Sequence, residues 1–176
     1  PQVIEPRLRR LEAVVLFQLR ARRVVKRPHP FVGDGDCGHE HGDYTGGVLG
    51  RLDPKTGASK LLYKEVGGNK LSAPNDLVFD KEGGFYFTDL GKVRARDRDH
   101  GGLYYARADG SHIVEVAYQV QAANGVGLSP DEKTVYAAET ETARLFAFDI
   151  VGEGEVARSP LGPPGRVVAT QTTFCY

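Results

Sequence analysis

The sequence predicts an all-β chain, part of a β-propeller made of four-stranded antiparallel blades. Three observations carry this prediction. Residues 75–89 (NDLVFDKEGGFYFTD) and 124–140 (NGVGLSPDEKTVYAAET) are two copies of one pattern, opening at Asn75 and Asn124, 49 residues apart. A repeat of about 40–50 residues in strand-rich sequence has the period of propeller blades. Short alternating apolar runs, bounded by Gly, Asp, Asn and Pro, read as strands and tight turns. Finally, GGVLGRLDPKTG (46–57) and GGLYYARADG (101–110) both place Gly-Gly before a strand and a turn after it.

The elements follow in order. Leu8, Leu11, Val15 and Leu19 have helix-compatible spacing among arginines, so the basic lead-in can form an N-terminal amphipathic helix. Pro28 and Pro30 end any such helix, and Gly33 to Gly47 is a glycine-rich loop. Residues 46–53 and 59–65 flank Pro-Lys-Thr-Gly as a hairpin. Asn75 to Asp80 and Phe85 to Asp89 turn through Glu82-Gly83-Gly84. Residues 101–108 and 112–118 turn through Asp109-Gly110. Asn124 to Ser129 and Thr134 to Glu139 turn through residues 130–133, Ala143 to Ile150 is a further strand, and Glu155 to Arg158 a short last one. Each blade thus reads as an Asn-led strand, an aromatic strand, a Gly-Gly-led strand and a polar edge strand. Tyr86, Tyr104, Tyr105 and Tyr136 fit packing between blades. Three regions result: a basic lead-in and Gly-rich loop at 1–43, a partial propeller at 44–158 and an irregular tail at 159–176. Residues 46–158 supply about two and a half blades, an arc whose open edges invite self-association.

Formal net charge is zero, with Lys+Arg 23 against Asp+Glu 23, which gives no reason to expect nucleic acid. The balance hides eight basic and two acidic residues in 1–33. No apolar run approaches the ~20 residues of a membrane span. Cys37 and Cys175 make no disulfide framework, which suits a reducing, cytoplasmic setting. The absence of Met suggests a processed chain or a fragment.

Several side chains can carry chemistry. An asparagine opening a strand can serve its own backbone. Two at equivalent blade positions face one central volume, where amide oxygens suit Ca²⁺ or Mg²⁺ alongside carboxylates. DGDCGHEHGD (34–43) gathers Cys37, His39, Glu40, His41 and Asp43, but no second Cys/His pair completes a Zn²⁺ site, so it reads as a polar loop. KVRARDRDH (92–100) reads as a solvated loop at the channel mouth, from which Arg94, Arg96 or His100 could contact a polar substrate. Glu139 and Glu141 read as solvated.

Residues 74–92 (PNDLVFDKEGGFYFTDLGK), 101–110 and 123–150 (ANGVGLSPDEKTVYAAETETARLFAFDI) resemble the gluconolactonase family, which includes regucalcin-like (senescence marker protein) enzymes and bacterial lactonases. The resemblance covers 44–158. It implies a six-bladed propeller with one divalent metal, Ca²⁺ or Zn²⁺, and hydrolysis of sugar lactones or related esters. It implies that Asn124 is a metal ligand, that Asn75 faces metal and substrate, and that Asp76 is a neighbouring carboxylate. The family's glutamate ligand, in a Pro-Glu-Gly-Pro-type motif, has no match at Glu5. Its later aspartate, the general base, has no counterpart either, so no catalytic residue is identified. The expectation is a lactone hydrolase fragment with weak or no activity. The alternative is a non-catalytic propeller scaffold that binds a protein partner.

Overall fold

The computed structural model describes residues 13–20, 44–53, 55–158 and 164–170, and among them every regular element is a strand. In chain order these are β1 (Ala13–Arg20), β2 (Tyr44–Leu52), β3 (Ser59–Tyr63), β4 (Glu65–Val66), β5 (Asn69–Lys70), β6 (Pro74–Phe79) and β7 (Gly84–Asp89). Then come β8 (Gly101–Arg107), β9 (Ile113–Val120), β10 (Ala123–Leu128), β11 (Thr134–Glu139), β12 (Arg144–Gly152), β13 (Glu155–Val156) and β14 (Arg166–Thr170). Three antiparallel sheets stand face to face. Sheet I is β1-β2-β3, sheet II is β6-β7-β8-β9, and sheet III is β10-β11-β12-β13 with β14 also on β12. Sheet II is a complete blade in the strand order that the repeat predicts. The short hairpin β4-β5 is a sheet of its own, and its Val66 packs into the core between sheets I and II.

Sheet II is buried on both faces, and strand alternation does this. Phe85, Phe87, Tyr104 and Ala106 join Leu49, Tyr63 and Leu71 in the core shared with sheet I. Tyr86, Leu103 and Tyr105 join Val135, Ala137 and Phe148 in the core shared with sheet III. All of β7 is buried as a result. Phe87 and Tyr104 stack with ring centroids 5.1 Å apart, and Tyr86 meets Tyr105 edge-on at 4.9 Å. Burial pushes the Tyr86 hydroxyl up to about 12. Three of the four tyrosines assigned to inter-blade packing are there. Tyr136 is half-buried, on the far face of sheet III.

The Gly-Gly motifs mark close approaches of backbone. A Cβ on Gly47 would collide with the Pro74 ring, and one on Gly101 with the Asp89 and Val120 carbonyls. Polar ties then lock neighbouring sheets. The Tyr63 hydroxyl donates to the Arg107 carbonyl (2.6 Å). Arg107 in turn grips Glu153 of sheet III through two bonds of 2.6 and 2.5 Å.

Two sequence expectations change. The helix expected from Leu8, Leu11, Val15 and Leu19 is not formed where the stretch is described: Ala13–Arg20 is a strand, paired with β2 from Ala13↔Leu52 to Arg20↔Tyr44. Leu8 and Leu11 lie outside the described residues. The run AVVLFQLR is rich in β-branched and aromatic residues, and an unpaired sheet edge supplies the hydrogen bonds that a lone helix would make internally. The basic lead-in thereby occupies the second-strand place of sheet I. In the stretch expected to be irregular, β14 pairs with β12, and the short Val167-Val168 pair suffices because β12 offers a free edge.

Phe87→Ala empties a fully buried site between two sheets, and unfolding by denaturant should show a loss of about 3–5 kcal/mol. Bonds from Arg107 hold the Glu153 carboxyl below its ordinary value. The pair therefore stabilises the fold above the unfolded carboxyl pKa, and that contribution is lost as pH falls through the lowered folded value. Between about pH 5 and about pH 3, the melting temperature of Glu153→Gln should fall less than that of the parent chain.

Candidate functional site at the entry of the first strands

Both copies of the repeat kink at the same place. In sheet II, Pro74 pairs with Asp89 and Leu77 with Phe87, so Asn75-Asp76 carries one residue too many for the ladder. In sheet III, Ala123 pairs with Glu139 and Val126 with Ala137, and Asn124-Gly125 is the equivalent bulge. A β-bulge re-aims its side chains out of the pleat. Asn75 is exposed and Asn124 half-buried. Among the described residues no hydrogen bond engages either side-chain amide.

A buried carboxylate fixes each bulge from behind. Asp89 is 3% exposed and accepts the N–H groups of Ser72 (2.7 Å), Ala73 (2.7 Å) and Gly91 (2.9 Å). Burial pushes its carboxyl up, against the pull of those donors. Glu139, 4% exposed, stands at the same repeat position and accepts the Gln121 N–H (2.6 Å) and the Thr142 hydroxyl. The backbone bonds repeat as well: Leu90 N–H to the Ala73 carbonyl (2.9 Å) and Thr140 N–H to the Ala122 carbonyl (3.1 Å). Glu139 is therefore not the solvated residue that the sequence suggested. Its signal was present, because a carboxylate closes the second strand in both copies.

A second set of bonds ties one bulge to the other. The Asp76 carboxylate accepts the N–H of Leu77 (2.9 Å) and, across the sheet boundary, that of Val126 (3.0 Å). The buried Thr88 hydroxyl accepts the Asp76 N–H (3.3 Å) and donates to the Asn124 carbonyl. Asn75 and Asn124 thus sit at equivalent points of adjacent first strands that are hydrogen-bonded together. Sequence reasoning missed Thr88; a small aliphatic hydroxyl in the aromatic run GFYFTD was the available hint.

Asp76 thus acts on backbone, with both oxygens occupied. Arg94 turns into its own loop, bonding Asp97 (3.2 Å) and Asp99 (2.7 Å). Burial works upward on Asp99, but the Arg94 and Ser72 bonds bring its carboxyl below the ordinary value. The Ser72 hydroxyl donates to Asp99 (2.9 Å), so Arg94 reaches the strand entry only through that carboxylate. Arg96 is exposed. His100 packs edge-on against Tyr118 of β9, the outer strand, with centroids 6.1 Å apart. Glu141 pairs with Arg98, joining the loops of sheets II and III. Glu5, Cys37, His39, Glu40, His41, Asp43 and Cys175 lie outside the described residues.

As a metal centre, the described donors are hard and incomplete. Two neutral amide oxygens suit Ca²⁺ better than Zn²⁺, which prefers nitrogen and sulfur. Among the described residues no group of three or more His, Cys, Asp or Glu could hold a metal. At the opposite edge of sheets II and III, a cleft of about 290 Å³ is lined by Asp80, Tyr105, Arg107 and Glu153, among others. Four of its polar groups are engaged with one another: Tyr105 donates to Asp80 (2.9 Å) and Arg107 to Glu153. No helix among the described residues is long and apolar enough to cross a membrane.

Comparison with known proteins agrees with this architecture. The model of the SMP-30/Gluconolactonase/LRE-like region matches residues 42–161, and the chain belongs to that family. It is 42% identical over 123 residues to Lactonase drp35 of Staphylococcus saprophyticus, covering 69% of this chain and 36% of that protein. It is 40% identical over 88 residues to Lactonase drp35 of Staphylococcus haemolyticus, covering 50% of this chain and 26% of that protein. A solved gluconolactonase from Xanthomonas campestris superposes with a TM-score of 0.56 at 28% identity, over 71% of this chain and 42% of that one. The chain thus spans less than half the length of each of these proteins.

Asp89→Ala would strand buried N–H groups and should cost about 3 kcal/mol. Hydrogen exchange should quicken at Ser72, Ala73 and Gly91 beyond the change at Val135.

Proposed function

We propose that this chain forms part of a metal-dependent hydrolase of sugar lactones or related esters. The observation that carries the reading is the pair of unengaged amides, Asn75 and Asn124, set in matched bulges on adjacent first strands. Family membership and likeness to proteins named lactonase and gluconolactonase support it. The two amide oxygens would hold a divalent cation, Ca²⁺ rather than Zn²⁺ by donor hardness. Such a cation supplies Lewis-acid polarisation of a carbonyl and acidifies bound water. The chain's own residues do the positioning. Asn75, the more exposed of the two, would meet both cation and substrate, and Asn124, half-buried, would meet the cation. Asp76 serves the frame of the site, and Arg94 shapes the rim through Asp99. His100, against the outer strand, is the least suited of the sequence candidates to touch substrate.

With two neutral ligands from the described residues, Ca²⁺ affinity should be weak, with Kd about 10⁻⁴–10⁻³ M. Turnover by the 176-residue chain should fall about 10²–10⁴-fold below that of a lactonase equipped with a general base. Calorimetric Ca²⁺ titration of the parent chain, Asn75→Ala and Asn124→Ala, with melting curves to confirm folding, checks this reading. Loss of uptake in both variants is expected. Equal uptake by all three folded proteins would rule out the amide site.

A further inference from the structure

We propose that Thr88 and Asp76 are positioning residues for the candidate cation site, setting Asn124 against Asn75 across the boundary between sheets II and III. The proposal rests on the amide site described above and deepens it. Two kinds of tie join these strands, and the repeat separates them. The Asp89 contacts recur at Glu139, and the Leu90–Ala73 backbone bond recurs as Thr140–Ala122. Those contacts belong to blade architecture. The Asp76–Thr88 pair does not recur: Gly125 stands at the position of Asp76 and Ala138 at that of Thr88. Both members change together, so the tie is confined to the boundary between the two strands that carry Asn75 and Asn124.

Its geometry is directed at Asn124. Thr88 holds the Asn124 carbonyl, and Asp76 holds the Val126 N–H two residues on, so the bulge is gripped on both sides of its extra residue. The same Thr88 oxygen accepts the Asp76 N–H, next to Asn75. One buried hydroxyl therefore references both bulges to a single point. Thr88 is fully buried, so water cannot replace it. A ligand pair on two separate sheets can hold a cation only if the sheets keep their spacing, and groups behind metal ligands are worth about 10–100-fold in affinity.

The test is Ca²⁺ titration of the 176-residue chain by calorimetry, with amide exchange at Val126 read without metal. Thr88→Val should weaken Ca²⁺ binding at least about tenfold and quicken Val126 exchange. Thr88→Ser, which keeps the hydroxyl, should restore both. Val135→Ala, a core truncation in sheet III, should lower the melting temperature and leave affinity unchanged. Equal weakening in Thr88→Val and Val135→Ala would reduce Thr88 to a packing residue and overturn the proposal. Uptake abolished by Asn124→Ala but unchanged in Thr88→Val would overturn it and leave the amide site standing. Absence of Ca²⁺ uptake by the parent chain would overturn both.

Discussion

Burial of sheet II on both faces is the constraint from which the rest of the architecture follows. A slip of one residue exchanges the two faces of any strand. In β7 every residue is buried and both faces meet a neighbouring sheet, so a slip would change what both neighbours pack against. Phe85 and Phe87 face sheet I, while Tyr86 and Thr88 face sheet III. A slip of one residue would drive Thr88 into an apolar core and bring a phenylalanine to the Asn124 carbonyl. The alternation that builds the core therefore also aims the one hydroxyl that reaches the candidate site.

Buried carboxylates complete the frame. In sheets II and III the second strand ends in an acid, Asp89 or Glu139, that takes up backbone N–H groups from the connection leading into the first strand. These donors sit where the chain reverses and no ladder partner is available, so a side-chain acceptor is the economical way to satisfy them. The bulges that carry Asn75 and Asn124 follow immediately. Among the described residues their amides are left without hydrogen-bond partners, which supports the ligand role proposed for them.

Much of this was legible in the sequence. The 49-residue spacing of Asn75 and Asn124, the turn signals and the Gly-Gly motifs together specify a four-stranded blade, and sheet II has that order. The reading of Leu8 to Leu19 as helical was reversed at Ala13–Arg20. Apolar spacing in a short run fits either period, and a vacant strand edge decided between them. Glu139 was read as solvated, although a carboxylate closes the second strand in both copies, because the Gln121 N–H that it accepts lies 18 positions away. Arg94 and His100 were singled out by their place in a loop expected at the channel mouth; Asp99 pairs with the first, and Tyr118 packs edge-on beside the second.

The sequence by itself determined the blade, its strand order and the two asparagines, because repeats and alternation are properties of the chain read along its length. Tertiary structure alone decided the relation between the asparagines. It joined Asp76 to Val126 and Thr88 to Asn124, residues 50 and 36 positions apart, across a boundary that no local pattern encodes. Hydrogen bonds between sheets depend on how two cores pack, and that packing exists only once both sheets have formed.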